Sequence, residues 1–194
     1  MLAPSEKEHA VLVINLWGAP SSGKSTTAAG LFFLLKINKW RVELVTEFAK
    51  ELVWDGRENY FGNQVSIFAE QNHRLNRLIP HGVEAAVTDS PLPLPAFYQP
   101  GGYLPSFTLL VMEQFRRHNN INFFLRRKHS FEVIGRRHDE SQAEEIDTQL
   151  REFLRINGID YVEVDASPNA PQVIFDHISA LMPPAVIMPL VDPS

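Results

Sequence analysis

Residues 17–26, WGAPSSGKST, fit the pattern G-x-x-x-x-G-K-[ST] and stand between two segments of different period. Before them, Val11 to Leu16 (VLVINL) is a short apolar run rich in β-branched residues, which reads as a strand. After them, Lys24 to Leu35 carries apolar positions all round and reads as a buried helix. A strand that turns through two glycines into a helix aims successive backbone N–H groups into the turn, at the positive end of the helix, where an anion is favoured. The strand and its helix also restrict the chain to an α/β arrangement, because a helix returns the chain so that the next strand runs parallel. The four fixed positions would coincide in a random chain of 194 residues on the order of one time in a hundred.

The rest of the chain repeats that alternation. RVELVT (Arg41 to Thr46), EAAVTD (Glu84 to Asp89), INFFLR (Ile121 to Arg126) and DYVEV (Asp160 to Val164) supply strands two to five. Gln64 to Leu78 places Val65, Phe68, Leu75 and Leu78 at helical spacing with amides and arginines between them, an amphipathic helix. Ser141 to Ile156 is a helix with Ser141 and Glu144 spaced as a capping box and Gly158 just past its end. Ser167-Pro168 places a cap and a first-turn proline before a last helix that runs to about Leu181. SPLPLPAFYQPGGYLPS (Ser90 to Ser106) holds five prolines and two glycines without periodicity and reads as a long functional loop. The expected fold is an α/β, three-layer fold with a five-stranded parallel sheet and helices on both faces. One domain over 11–181 accounts for the chain, with a flexible tail over 1–10, a lid over about 127–140 and a proline-rich tail over 182–194.

Composition narrows the chemistry. There is no cysteine, so disulfides, thiolate metal sites and cysteine nucleophiles are excluded. No apolar run reaches the roughly 18 residues of a membrane span, so no membrane partner is expected. The first ten residues lack the layout of a secretion signal, and the expected location is cytoplasmic. The net charge of −5 argues against a broad grip on nucleic acid. Yet Arg116, Arg117, Arg126, Arg127, Lys128, Arg136 and Arg137 fall close together, with His118 and His129 among them. That cluster is either a solvated surface or a clamp for polyanionic phosphates.

The glycine loop implies ATP as donor and Mg2+ as its counterion. Gly18, Ala19, Pro20, Ser21, Ser22, Gly23, Lys24, Ser25 and Thr26 would cradle the phosphates, Lys24 would reach the β- and γ-phosphates and the Ser25 hydroxyl would ligate the metal. No guanine-reading Asn/Thr-Lys-x-Asp motif follows a later strand. Strand three ends in a lone acid, VTDSP, where a motor ATPase would show Asp-Glu, so Asp89 is expected on the metal side. Glu47, at the end of strand two, is the expected base for an acceptor hydroxyl, with the two carboxylates interchangeable in principle. Glu47 could instead cap the helix that begins EFAKEL. Phe68, Gln71 and Arg74 would read the acceptor, the amide pairing with a base edge and the ring stacking on its face, although Phe68 at this spacing also suits a core and Arg74 and Arg77 suit a surface. RRKHSFEVIGRRHDES (Arg126 to Ser141) reads as a flap whose Arg136 and Arg137 close on the transferring phosphoryl group.

GAPSSGKST, VTEFAKELVWDGR, VTDSP and GRRHDESQAEEI together resemble the small P-loop kinases of nucleosides and nucleotides, most closely the ribosylnicotinamide-kinase-like and thymidylate-kinase-like proteins of tailed bacteriophages. The likeness covers roughly Val11 to Leu181. It implies a P-loop kinase fold with an arginine-rich lid, acidic acceptor residues at Glu47 and Asp89, lid arginines at Arg136 and Arg137, and an adenine-side loop at Ala166 to Pro168. Asp89-Ser90-Pro91 stands where cellular thymidylate kinases carry an Asp-Arg-Tyr-like stretch. Phage kinases of this size also resemble enzymes acting on 5-hydroxymethyluracil in DNA, and the proline loop with the basic cluster could take a flipped base. The implied partners are a nucleotide donor and a nucleoside-like acceptor, free or within DNA, and could include a second copy in a homodimer. An ATPase switch acting through a protein partner is the alternative of a different class.

Overall fold

The structure is a computed structural model that describes residues 11–127 and 140–181. Five parallel strands, β1 (Leu12–Trp17), β2 (Val42–Val45), β3 (Ala85–Thr88), β4 (Asn119–Arg126) and β5 (Val162–Asp165), form one sheet in the order β2-β3-β1-β4-β5. After β1 comes α1 (Lys24–Ile37), and after β2 come α2 (Phe48–Trp54) and α3 (Gln64–Asn76). α4 (Leu94–Phe97) and α5 (Pro105–Arg117) follow β3, α6 (Glu140–Ile156) follows β4, and α7 (Ala170–Leu181) follows β5.

The two-residue period of β1 divides the core. Val13 and Trp17 face one way, where they meet Phe124 of β4, Phe68 of α3, Met112 and Phe115 of α5, and Leu150 and Leu154 of α6. Leu12, Ile14 and Leu16 face the other way, onto Leu31 and Leu35 of α1 and Ile174 and Ile178 of α7. A sheet covered on both faces explains why its strands read as apolar runs and not as alternations. The expected three layers are therefore present, and β1, the strand that delivers the glycine loop, lies at their centre. No helix among the described residues is long and apolar enough to cross a membrane.

Several boundaries differ from expectation for local reasons. The segment Ser90 to Ser106 is not a structureless loop: α4 forms inside it, Leu92 and Ala96 are buried, and Pro105 opens α5. A first-turn proline costs no hydrogen bond, so the prolines that suggested a loop here begin helices. α5 itself had not been expected, although Phe107, Val111, Met112 and Phe115 give it a clear buried stripe. β4 starts at Asn119 because Asn119 and Asn120 pair with Leu12 and Val13 of β1. α7 starts at Ala170, so Pro171 and not Pro168 occupies the first turn, and Ser167 belongs to the preceding turn through its carbonyl and the Ala170 N–H. α6 already includes Glu140, which puts Ser141 inside the helix and not at its cap. α1 is buried along one side only, with Phe33 and Ile37 exposed. The expected tails over 1–10 and 182–194, and the lid apart from its two ends, lie outside the described residues.

Candidate functional site

The glycine loop is held in a tight arc. Gly18 has φ +142° and Gly23 φ +83°, and Ser21 between them also has a positive φ. A Cβ on Gly18 would lie 2.5 Å from Ser22 Oγ and 3.0 Å from the Leu125 carbonyl, so only glycine lets the chain pass β4 here. The Ser22 N–H donates to the Ala19 carbonyl at 3.2 Å, and the Thr27 N–H donates to the Gly23 carbonyl at 2.9 Å, starting α1. Lys24 Nζ donates to the carbonyls of Gly18 (2.7 Å) and Ala19 (3.0 Å), which curls the ammonium over the arc. Ser22 Oγ is buried without a hydrogen-bond partner. Ser25 and Thr26 stand in the first turn of α1, half-buried and exposed respectively. The loop after β5 lies alongside, with Ala166 Cβ 3.8 Å from where a Gly23 Cβ would be. That is the side expected to meet adenine.

The arc is anchored from below by a residue that sequence reasoning passed over. Trp17, fully buried and next to Gly18, donates its indole N–H to Asn122 Oδ1 at 3.0 Å, and Asn122 donates onward to the Asp160 carbonyl at 3.0 Å. The Trp17 ring meets Phe115 edge-on.

The sheet order brings the two acids to one end. Thr88, the last residue of β3, is level with Asn15 of β1 on one side and Val45 of β2 on the other. Asp89 therefore leaves the sheet between the glycine loop and the Thr46-Glu47 corner. It is 5% exposed, and its Oδ1 is buried without a hydrogen-bond partner. A buried carboxylate oxygen left without a protein donor suits a cation ligand. Together with the Ser25 hydroxyl it fits Mg2+, which takes few protein ligands and fills its octahedron with water and phosphate oxygens. No group of three or more His, Asp or Glu residues able to hold a metal occurs among the described residues, so the site resembles no all-protein cage.

Glu47 occupies the N-cap position of α2 with extended backbone, yet its side chain makes no capping hydrogen bond. The capping alternative thus fails. Its charge acts instead on Tyr98, at the end of α4, a second residue with no signal in the sequence. Burial and the nearby Glu47 carboxylate push the Tyr98 phenol well above the ordinary tyrosine value. The residue is nevertheless 41% exposed. Tyr98 therefore stays a neutral O–H donor at ordinary pH.

The three residues expected to read an acceptor base are engaged in the scaffold. Phe68 is core, edge-on to Phe107. Gln71, 1% exposed, accepts from the Phe48 N–H and donates to the Thr46 carbonyl, both at 3.3 Å, and so ties α3 to the corner that carries Glu47. Arg74 grips Glu51 with both Nη atoms at 2.7 Å, donates from Nε to Glu70 at 2.9 Å and lies over the Phe48 ring. These contacts hold the Glu51 carboxyl below its usual value and the Arg74 guanidinium above its own. The structure brings Glu47, Asp89 and residues 18–26 together and places Phe68 and Gln71 behind them.

The described part of the basic cluster is paired locally. Arg116 donates to the Asn157 carbonyl, Arg117 pairs with Glu113, Arg126 with Asp165 (2.7 Å to Nε) and Arg127 with Glu144. Burial pushes the His118 imidazole down. The Arg126–Asp165 pair links the strand that leads to the expected lid with the loop beside Gly23. Lys128, His129, Arg136 and Arg137 lie outside the described residues.

Comparisons with known proteins bear on the family and the fold. A family model described as an AAA domain matches residues 13–170. No curated protein matches. Among solved structures, thymidylate kinase from Ehrlichia chaffeensis is similar with a TM-score of 0.54 at 14% identity, covering 89% of this chain and all of that one. At that identity the likeness shows the P-loop kinase fold.

Proposed function

This chain belongs to the AAA domain family of P-loop nucleoside triphosphatases, and on that premise we propose that it transfers the γ-phosphoryl group of ATP to a hydroxyl of a nucleoside- or nucleotide-like acceptor. The observation that carries the reading is the side chain of Glu47. It stands one strand away from the metal-side acid Asp89 and is not spent on capping α2. An ATPase needs no second carboxylate at that corner, whereas an acceptor hydroxyl needs a base there.

In the proposed reaction the backbone N–H groups of residues 18–26, Pro20 excepted, and Lys24 Nζ hold the triphosphate. Ser25 Oγ and the Asp89 carboxylate would hold Mg2+, which neutralises charge on the β- and γ-phosphates. Glu47 accepts the proton of the acceptor hydroxyl as its oxygen forms the new bond to phosphorus, and the bond to the bridging oxygen of ADP breaks. Tyr98 donates a hydrogen bond to the acceptor and so orients it against Glu47. Arg136 and Arg137 are assigned to the closing side, where guanidinium groups offset charge on the transferring group.

The acceptor-in-DNA version, including 5-hydroxymethyluracil, draws less support. The segment meant to admit a flipped base is folded into α4 and the start of α5, and four of the basic residues meant to hold the backbone are engaged at home. The experiment is transfer from γ-labelled ATP into three pools: nucleosides, nucleotides, and DNA bearing 5-hydroxymethyl pyrimidines. Label in any pool, lost in Glu47→Gln by about 100-fold or more as expected for a general base, supports the kinase. ATP hydrolysis indifferent to every pool identifies a switch and sinks it.

A further inference from the structure

The acceptor side holds an arginine that is already occupied. Arg74 reaches the Glu47 corner, since its Nη1 donates to the Thr46 carbonyl at 3.3 Å. Any phosphate on the acceptor near Glu47 would look for this guanidinium, because a planar fork matches phosphate oxygens in pairs. That paired edge is filled by Glu51, with one Nη on each carboxylate oxygen at 2.7 Å. The Nε edge is filled by Glu70, and the Arg74 side chain is 14% exposed. Arg74 is thus flanked by carboxylates on both of its hydrogen-bonding edges, Glu51 on one and Glu70 on the other. A dianionic phosphate monoester entering here would meet carboxylates and an arginine with no paired edge to offer.

Resting on the kinase reading above, we propose that the acceptor carries its hydroxyl on an uncharged unit, an unphosphorylated nucleoside, and that Glu51 and Glu70 set this specificity by holding Arg74. A neutral sugar or base needs only the hydrogen bonds of Glu47 and Tyr98. A nucleoside monophosphate would have to break the Arg74–Glu51 fork and leave Glu51 without its partner.

The test is binding and not turnover, so that it stands apart from the kinase reading. Titration calorimetry with the MgADP-loaded protein is run against the common ribo- and deoxyribonucleosides and their 5′-monophosphates, for the wild type and for Glu51→Gln/Glu70→Gln. At least one nucleoside should bind 10-fold or more tightly than its own monophosphate, and the double variant should close that gap by 10-fold. The ratio of the two affinities is the readout, because loss of fold weakens both ligands and does not invert their order. Thermal melting checks that the variant is folded, and the wild-type ratio stands if it is not. A wild type that binds monophosphates as well as nucleosides, or binds no nucleoside, or an unchanged ratio in a folded variant, overturns the proposal. Phosphate transfer to whichever ligand binds is read separately. Its absence removes the kinase reading and leaves the selectivity standing.

Discussion

Replacing Asp89 with asparagine should make the ligand-free protein more stable and the nucleotide-bound protein less able to gain from its ligand. Asp89 is 5% exposed, and its Oδ1 has no hydrogen-bond partner. An unsatisfied buried polar group costs about 1–3 kcal/mol, with charged groups at the upper end. Asparagine keeps the outline and removes the charge, so relief of about 1–2 kcal/mol is expected, or about 2–8 °C in Tm for a chain of this size. With magnesium and a non-hydrolysable ATP analogue at about 100 times Kd, the wild type gains about 2.7 kcal/mol by mass action. If loss of the metal-side oxygen weakens binding tenfold or more, the variant gains no more than about 1.4 kcal/mol at the same concentration. The assay is thermal melting of both proteins with and without the analogue, with magnesium present throughout. A ligand-free variant destabilised by more than about 1 kcal/mol would show that Asp89 has a structural role. Equal gains with ligand would show that it does not hold the metal. Either result refutes the assignment.

Three further outcomes follow from neighbouring residues. Gly23→Ala should cost only the left-handed strain of about 1–2 kcal/mol, since its nearest neighbour would be Ala166 Cβ at 3.8 Å, whereas Gly18→Ala also strikes the Leu125 carbonyl and should melt well below it; similar melting temperatures would contradict the loop geometry. Tyr98→Phe should lower kcat/KM about 2- to 12-fold, the worth of one neutral hydrogen bond, with MgATP affinity unchanged, and a spectroscopic titration should find one of the four tyrosines still un-ionised well above the ordinary tyrosine value of 10. Because Arg74 lowers the Glu51 pKa, that pair contributes stability above the ordinary Glu value of 4.5 and loses it as pH falls through the lower folded value. Glu51 is half exposed, so screening limits the effect to about 1 kcal/mol, and the stability gap between wild type and Glu51→Gln should narrow as pH falls below the ordinary Glu value of 4.5.

What the sequence disclosed depended on how far each signal travels along the chain. β1, the glycine loop and α1 were legible because pattern, glycines and helix start all fall within a few neighbours. Glu47 and Asp89 were legible because strand ends could be counted. α5 was not, because the prolines of this segment read as breakers, whereas Pro95 and Pro105 are first-turn residues of α4 and α5. The inner face of α3 was misjudged for a different reason. Spacing turned Val65 inward, whereas Val65 is exposed and Gln64 and Gln71 are buried, since the backbone groups that satisfy Gln71 come from Thr46 and Phe48. The engagement of Arg74 was hidden because its partner Glu51 lies on another helix, 23 residues back along the chain. Tyr98 has no local pattern at all, and only its distance from Glu47 in the fold gives it a part.

The place of β1 in the sheet bears on how the chain acquires its structure during synthesis. β1 leaves the ribosome first, but both strands that flank it, β3 and β4, come from much later in the chain, and β4 is not complete until Arg126. Until then α1 can cover one face of the ribbon VLVINLW and β3 one edge, but the edge that takes β4 stays bare. Loops of that length close slowly, and exposed strand edges of this composition are prone to self-association. Nascent chains halted before residue 126 should therefore engage chaperones or aggregate. Those that include β4 and α5 can sheathe the ribbon, so the nucleotide loop would become competent late, after most of the sheet that carries it.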